Sequence, residues 1–325
     1  MFMHPSFFFF FFFLLFSVML AISSNSWLFA WMGLEVNLLS FIPIMLKKFN
    51  KYSTEASIKY FLIQTIASII IIFYFLFMKD NFTIIIFMCL MLKMGAAPFH
   101  QWLPSISEGL SWPVLLIILL LQKLNPLILI TFMFKTGLLI SALQIFVVSS
   151  ALMGSIGGLS QSSLRKIMIF SSISHLSWIL SSMLVSNWAW FNYFLLYAVI
   201  LSSLVITLYK TEISTINDLL VKNKSILSSI IASSMMSMGG LPPFSGFVPK
   251  LVVTQDLLNS KFYFILLFLL MSTFLSLFFY CRMFTALMFM KTSLNLFCTK
   301  QKKNMFLVFF NLSVLLVPSM FFVLL

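Results

Sequence analysis

The chain has 325 residues, of which 62% are hydrophobic and only 8% are charged, and its formal net charge is +13. A water-soluble fold is excluded, because soluble domains are about a quarter charged and could not hide so much apolar surface. The alternation of polar and apolar residues that a membrane β-barrel requires is not seen, so the composition predicts an all-α polytopic membrane protein.

Long apolar segments separated by short polar loops predict about eleven transmembrane helices. The first segment lacks the positively charged start of a signal peptide and the arginine-rich pattern of a transit peptide, so we expect it to remain as a membrane helix. In chain order, we predict helices at 7–23, 27–46, 54–78, 82–106, 110–133, 137–154, 165–185, 188–209, 226–258, 263–288 and 305–325.

Lysines and arginines are distributed unequally between the loops on the two sides of the predicted bundle. Loops on the N-terminal side hold most of them, which predicts that this side is the positive, interior one. The net charge is therefore a topology signal, and we expect no nucleic-acid partner. The opposite side holds Lys79, Lys135 and Lys261, against Lys47, Lys48, Lys51, Arg165, Lys166, Lys210, Lys222, Lys224, Lys291, Lys300, Lys302 and Lys303.

The motif G-x-x-P-F occurs twice, at residues 95–99 and 240–244, in the fourth and ninth predicted helices. Glycine and proline inside an apolar helix predict a broken helix. Because the two helices are five apart, they run in opposite directions, which predicts two inverted five-helix repeats. We expect a single domain over 1–325, with repeats at about 7–133 and 137–288 and one extra helix at about 305–325.

Four ionisable side chains lie in the middle of predicted helices: Glu35, Lys93, Lys123 and Lys250. Each opposes insertion by about 2.5–3.5 kcal/mol, or roughly 12 kcal/mol together. Burial favours a neutral lysine and a nearby carboxylate favours the ammonium form, so withdrawing the carboxylate's influence releases a proton. Because broken helices can hold water, one acid and three lysines at similar depth predict a switchable proton relay.

Each of these four residues also has a purely structural interpretation. Glu35 and Lys93 could form an ion pair that locks two helices together. Lys123 could cap carbonyls that Pro126 frees. Lys250 could extend its ammonium group toward the membrane surface.

Other polar and small residues give weaker signals. His175, in the middle of a helix, is either a packed side chain or a relay group, and His100, after the first motif, is either a loop donor or a relay group. Gly154 and Gly158 form G-x-x-x-G, which favours close helix packing. We expect no metal or iron–sulfur site, because no such spacing connects the cysteines Cys89, Cys281 and Cys298.

Several stretches resemble the chain 2 family of mitochondrial NADH–ubiquinone oxidoreductases, antiporter-like membrane subunits of respiratory complex I, in the short arthropod style. The similarity covers nearly the whole chain and is weakest after residue 290. The stretches are SNSWLFAWMGLEVNLLSFIP, STEASIKYFLIQ, LKMGAAPFHQWLP, GLSQSSLRKIMIFSSISHLSW and GGLPPFSGFVPK. One departure is Asn125, which puts an amide near Lys123 where the family usually has alanine.

The resemblance implies a proton-pumping subunit of the mitochondrial inner membrane, with its N-terminus in the matrix and other membrane-arm subunits and lipids as partners. It implies that NADH, FMN, iron–sulfur clusters and ubiquinone bind to partner subunits and that this chain holds no cofactor. It also implies pumping roles for Glu35, Lys93, Lys123 and Lys250, and a family histidine at His175. The alternatives are a standalone cation/proton antiporter and a structural subunit without translocation.

Overall fold

The computed structural model describes residues 5–24, 26–46, 50–77, 83–133, 137–186, 188–211, 213–216, 218, 225–242 and 244–289. Within these ranges the protein is helical, with one isolated β-bridge between Ser163 and Thr215 and no strand. The predicted helix at 305–325 lies outside the described residues, as do several of the loop lysines.

The helices follow the apolar segments of the sequence closely. A short 3₁₀ turn covers Ser107–Gly109. The α-helices are α1 Pro5–Ser23, α2 Trp27–Met45, α3 Lys51–Phe77, α4 Thr83–Met94, α5 Trp102–Ile106, α6 Trp112–Leu119, α7 Leu121–Met133, α8 Gly137–Leu159, α9 Leu164–Met183, α10 Ala189–Thr211, α11 Ser225–Gly239, α12 Phe247–Asn259 and α13 Tyr263–Phe289.

Seven helical segments of the described chain are long and apolar enough to cross a membrane, so the protein is a multi-pass membrane protein. They are α1, α2, α3, the α6–α7 pair, α8, α10 and α13. The fourth and ninth predicted helices are each divided into two short ones, as the motifs predicted. The seventh predicted helix, which corresponds to α9, is less apolar than these segments because it is rich in serine. The count of eleven stays a prediction.

The chain divides within α8 into two compact units, Met1–Ser149 and Ser150–Leu325. In the first unit, α7 packs against α1, α2 and α4, and α3 packs against α2, α4 and α5. In the second unit, α9 packs against α10, α12 and α13, and α11 packs against α10 and α13.

The first unit buries polar side chains among apolar ones and presents an apolar outer face. On α3, Tyr60 and Gln64 are buried, whereas Ile58, Leu62 and Phe73 are more than a third exposed. An apolar outer face suits lipid, and buried polar groups then find partners within the protein. The interior of this unit can therefore hold ionisable residues.

Helix α9 forms the centre of the second unit and is buried along nearly its whole length. Its serine hydroxyls donate to carbonyls three residues earlier, for example Ser171 to Met168 and Ser172 to Ile169. The serines are thus satisfied within their own helix, which explains how a helix of modest hydropathy sits in an apolar bundle. A Cβ at Gly154 would lie 2.5 Å from the Ser174 backbone nitrogen, so the predicted close packing at this glycine is confirmed.

Candidate functional site

The first helix break lies directly after Lys93. The Gly95 N–H binds the Leu92 carbonyl and the Ala96 N–H binds the Met91 carbonyl, so α4 ends in a Schellman motif. Gly95 has a φ of +71°, and a Cβ there would collide with Leu103. The helix therefore ends at a glycine that accepts the left-handed conformation, and proline follows three residues later.

Side chains also bind two carbonyls in the last turn of α4. Trp102 Nε1 donates to the Leu92 carbonyl at 3.1 Å, and Gln64 Nε2 donates to the Lys93 carbonyl at 3.2 Å. Lys93 itself is 5% exposed in the last turn of α4. The break thus holds a lysine in the apolar interior while the neighbouring backbone stays satisfied.

Glu35 on α2 interacts electrostatically with both Lys93 and Tyr60. Among the described residues, however, the ion pair within 4 Å is Lys59 with Glu55, one turn apart on α3. Glu35 is only partly buried. The structure therefore brings Glu35 and Lys93 within electrostatic range without the direct contact that the locking ion pair required.

Lys123 lies in the first turn of α7 and is only 1% exposed. The backbone is interrupted at Leu120, between α6 and α7. Pro126 lacks an N–H group, so the carbonyl of Gln122 has no donor four residues later. Lys123 thus stands, like Lys93, beside an irregular stretch of a membrane helix.

Buried amides and hydroxyls surround this first turn of α7. Gln122 accepts a hydrogen bond from the Tyr60 hydroxyl at 3.0 Å and donates to Asn37 Oδ1 at 3.0 Å. Asn125 Nδ2 donates to Ser17 Oγ at 3.3 Å. The region around Lys123 is therefore more polar than the hydropathy of the helix indicates.

The second helix break holds both ionisable site residues of the second unit. The Gly240 N–H binds the Met236 and Ser237 carbonyls, and its φ is +77°, which ends α11. The next two free carbonyls have side-chain partners: Met238 is 3.1 Å from His175 Nε2, and Gly239 accepts from Lys250 Nζ at 2.7 Å.

His175 also lies 3.0 Å from the Tyr193 hydroxyl through Nδ1, and its ring is tilted against Tyr197 at 4.9 Å between centroids. Because the Met238 carbonyl only accepts, a neutral His175 carries its proton on Nε2 and accepts from Tyr193. Both His175 and the Lys250 side chain are buried, at 7% and 8% exposure.

A cavity of about 200 Å³ lies beside Lys250. Its lining combines apolar side chains with Lys250 and two threonines, and its volume has room for several water molecules. The lining residues are Trp178, Gly239, Gly240, Phe247, Lys250, Leu251, Thr254, Leu270, Thr273 and Leu277. Lys250 therefore adjoins a space in which water could reach its ammonium group.

His100 lies in the turn between α4 and α5, where its side chain hydrogen-bonds the backbone of Pro98. Its position in the first break agrees with the loop-donor interpretation and leaves a relay role untested. Across the described residues, histidine, cysteine, aspartate and glutamate side chains do not cluster in a way that could hold a metal ion.

The structure adds polar partners that the sequence interpretation did not select: Asn37, Tyr60, Gln64, Gln122 and Tyr193. One signal was available, because polar side chains in the middle of membrane helices are rare and are found facing the protein interior. Gln122 precedes Lys123 directly, and Asn37 follows Glu35 by two residues.

Comparison with known proteins gives the family of this chain. The family "NADH:quinone oxidoreductase/Mrp antiporter, TM" matches residues 24–83 and 74–276, which include all six candidate site residues. The NADH-ubiquinone oxidoreductase chain 2 of Anopheles gambiae is 40% identical over 303 residues, or 89% of this chain and 88% of that protein. The chain belongs to the NADH-ubiquinone oxidoreductase chain 2 family.

Solved structures share the fold of this chain 2 family member. A chain of respiratory complex I from Thermus thermophilus has a TM-score of 0.79 and 20% identity, covering 97% of this chain and 77% of that one. A chain of the Mrp complex from Dietzia sp. has a TM-score of 0.73 and 19% identity, covering 83% and 58%.

Proposed function

We propose that this chain is a proton-translocating core subunit in the membrane arm of respiratory complex I, coupling NADH-to-ubiquinone electron transfer to proton pumping. The observation that carries the proposal is the burial of a lysine at each helix break, Lys93 in the first unit and Lys250 in the second. A buried lysine opposes folding and insertion, so its presence indicates either that its environment is polar or that its titration serves a function.

The site chemistry consists of proton binding and release, for which lysine is suited when it is desolvated. Burial favours the neutral amine, and the Glu35 carboxylate favours the ammonium form of Lys93. A change in the charge or position of Glu35 therefore changes the proton affinity of Lys93. We propose that this change starts a relay in which Lys93, Lys123, His175 and Lys250 take part, with His100 as a weaker candidate.

The position of Lys250 supports its part in the relay. Its ammonium group donates to a carbonyl, which holds the nitrogen without neutralising it, and the adjoining cavity offers space for water. The Lys250 side chain is buried, so the alternative interpretation, in which its ammonium group extends toward the membrane surface, does not account for its position.

The proposal includes a topology. We propose eleven membrane helices, arranged as two inverted five-helix repeats plus one C-terminal helix. The chain would lie in the inner membrane of the mitochondrion, with its N-terminus in the matrix. The excess of lysine in loops on the N-terminal side supports this orientation. We further propose that NADH, FMN, iron–sulfur clusters and ubiquinone bind to partner subunits, because electron input must reach this chain through its neighbours.

The decisive experiment measures protons pumped per electron in the intact complex reconstituted into vesicles. We expect Lys123→Met and Lys250→Met each to lower this ratio, because methionine fills the space but carries no proton. Lys59→Met is the matched control, since Lys59 is exposed and pairs with Glu55. Unchanged pumping by both test variants would favour a structural subunit without translocation.

A standalone cation/proton antiporter is the second candidate, supported by the shared fold with a chain of the Mrp complex. The two functions differ in the source of energy. If the chain is purified from membranes without redox subunits and exchanges cations for protons in vesicles, the antiporter is correct. If pumping requires NADH and stops when electron transfer is inhibited, the complex I function is correct.

A further inference from the structure

Two buried tyrosine hydroxyls of the second unit have no hydrogen-bond partner among the residues that the structure describes. They belong to Tyr197 on α10 and Tyr280 on α13, which are 2% and 1% exposed. A buried hydroxyl without a partner is unfavourable, and most buried polar atoms in proteins bind either protein groups or ordered water. Both hydroxyls therefore need a partner that the described part of the chain does not supply.

Burial alone does not explain this difference from other tyrosines of the protein. Tyr60 and Tyr193 are as deeply buried, at 1% and 2% exposure. The Tyr60 hydroxyl nevertheless donates to Gln122 Oε1, and the Tyr193 hydroxyl lies against His175 Nδ1, both at 3.0 Å. Buried tyrosines in this bundle can thus find protein partners, and Tyr197 and Tyr280 are exceptions.

Both exceptions lie close to His175. The Tyr197 ring is tilted against the imidazole at 4.9 Å between centroids. The Tyr280 ring packs at the second helix break, where a Cβ on Gly239 would lie 3.4 Å from Tyr280 Cδ2. The carbonyl of the preceding residue, Met238, is the one that His175 Nε2 contacts at 3.1 Å. The two tyrosines therefore approach the surroundings of one imidazole from two different helices.

The two hydroxyls lie beside consecutive serines of α9, one turn before His175. Tyr197 is next to Ser172 and Tyr280 is next to Ser171, but neither contact meets the geometry of a hydrogen bond. Both serine hydroxyls donate to carbonyls of their own helix, at 2.8 Å and 2.7 Å, and their oxygens can still accept. A water molecule here would have four polar groups around it, and two to four are enough to bind one.

The cavity beside Lys250 gives water a way to this region. Its lining includes Gly239 and Leu277. Leu277 precedes Tyr280 by three residues, so both side chains lie on the same face of α13, and both contact the position of a Cβ on Gly239. Tyr280 therefore stands directly behind the cavity wall.

We propose that Tyr197 and Tyr280 hold an ordered water molecule beside His175, and that this water allows His175 to carry a positive charge inside the bundle. The water would bind both tyrosine hydroxyls and the oxygens of Ser171 and Ser172. The two tyrosines are positioning residues, since they act through the water. The role of the water rests on the proposed relay, whereas its binding site does not.

The chemistry of His175 explains why such a water would matter. Its two ring nitrogens face a hydroxyl and a carbonyl, and a second proton adds a full positive charge to a buried ring. Burial opposes that charge, and a nearby dipole that can reorient stabilises it. A bound water reorients more easily than a carbonyl fixed in a helix, so it can serve both the neutral and the charged ring.

Hydroxyl-radical footprinting of the intact complex in oxygen-18-labelled water tests the binding site. X-ray radiolysis of bound water oxidises the adjacent side chains, and mass spectrometry locates the label. We expect Tyr197 and Tyr280 to be oxidised severalfold faster than the equally buried Tyr60 and Tyr193. In Tyr280→Phe, oxidation of Tyr197 should slow, because the water has lost one of its two tyrosine partners. Slow oxidation of all four tyrosines would overturn the proposal and indicate direct bonds from the tyrosines to the serines.

A melting experiment shows independently whether the hydroxyls have a partner. If they have none, removing them relieves the cost of burying them, and Tyr197→Phe and Tyr280→Phe should both raise the melting temperature of the complex. If they bind water, each variant loses a hydrogen bond, and the melting temperature should stay the same or fall. A rise in both variants would overturn the proposal.

The role of the water is tested by proton pumping in vesicles. The double variant Tyr197→Phe plus Tyr280→Phe keeps both rings and removes both hydroxyls. We expect it to pump severalfold more slowly, while NADH oxidation in uncoupled vesicles stays unchanged. Tyr209→Phe plus Tyr263→Phe is the matched control, because these tyrosines lie on the same two helices and are 50% and 59% exposed. Normal pumping by the test variant would overturn the role assigned to the water.

The results also separate this inference from the proposed function. If Lys123→Met and Lys250→Met abolish pumping but footprinting finds no water at Tyr197 and Tyr280, the relay is correct and the water site is wrong. If footprinting finds the water and both lysine variants pump normally, the water site is correct and the relay is wrong.

Discussion

The ammonium nitrogen of Lys250 donates a 2.7 Å hydrogen bond to the carbonyl of Gly239. The preceding carbonyl, that of Met238, binds His175. Two consecutive carbonyls of one broken helix thus hold both ionisable site residues of the second unit. A carbonyl accepts a hydrogen bond but takes no proton near neutral pH, so this contact positions Lys250 and leaves its charge free to change.

Replacing Gly240 should displace Lys250. A Cβ at Gly240 would lie 2.8 Å from Lys250 Cδ and 2.9 Å from Nζ, and the φ of +77° costs a non-glycine residue about 1–2 kcal/mol. We expect Gly240→Ala to assemble in lower yield and to pump far fewer protons per electron. Gly137→Ala is the control, because a Cβ there meets nothing within 4 Å. Equal pumping by both variants would contradict this prediction.

Substituting His175 tests whether it carries protons or only caps a carbonyl. Glutamine can donate to the Met238 carbonyl as the histidine does, but it does not titrate. If the relay role is correct, His175→Gln assembles normally and pumps more slowly, with NADH oxidation measured in uncoupled vesicles as the reference. Tyr193→Phe should have a smaller effect, since it removes one partner and leaves the ring titratable. Wild-type pumping by His175→Gln would reduce His175 to a structural cap.

Much of the helical framework was predictable, because the length of the apolar segments and the charge of the loops between them directly indicate membrane helices. The breaks after Met94 and at Gly239 were also predictable, since glycine and proline act through local backbone geometry. The predicted limits differ from the observed ones by a few residues, most clearly in α8, which continues to Leu159 instead of residue 154. Helix ends depend on partners that the local sequence does not contain.

The polar partners of the site residues were not predictable in the same way. Tyr60 and Gln122 are 62 residues apart, and His175 and Met238 are 63 apart, so only packing brings them together. Glu35 illustrates the same point: the sequence indicates a buried acid near a lysine, but not that the pair stays beyond direct contact. Intramembrane charge identifies site residues, while their hydrogen-bonding partners follow from the tertiary fold.

The carbonyl cap at the first break predicts a stability effect. Gln64→Leu would remove the donor to the Lys93 carbonyl and leave a buried acceptor without its partner, at a cost of about 1–3 kcal/mol. We expect a lower melting temperature of the assembled complex by differential scanning fluorimetry. Gln101→Leu is the matched control, because Gln101 is exposed in the same break and makes no capping bond with its side chain. An equal effect of both substitutions would exclude a specific role for Gln64.

Asp218, which lies between α10 and α11 in the sequence, should act as an anchor whose charge does not change near neutral pH. Its carboxylate accepts from the Ser214 hydroxyl and from the Ser214 and Thr215 backbone N–H groups, which lowers the pKa of Asp218 to about 2. The usual pKa of an aspartate is about 3.9. Because folding lowers this pKa, the ionised carboxylate stabilises the folded segment at pH values above about 3.9, and this stabilisation is lost as the pH falls toward 2.

Hydrogen exchange of the Ser214 and Thr215 amides, measured by mass spectrometry, checks this prediction. Between about pH 5 and pH 8 Asp218 stays ionised, so we expect constant protection after correction for intrinsic exchange rates. Asp218→Ala should raise exchange at both amides over the whole range. The same loop binds the start of α9, since the Leu164 N–H donates to the Ser214 carbonyl at 3.0 Å and the Ile216 N–H to Ser162 at 3.1 Å. Loss of the Asp218 anchor should therefore also expose the first turn of α9 to exchange, and unchanged protection there would show that these backbone bonds hold the loop without the carboxylate.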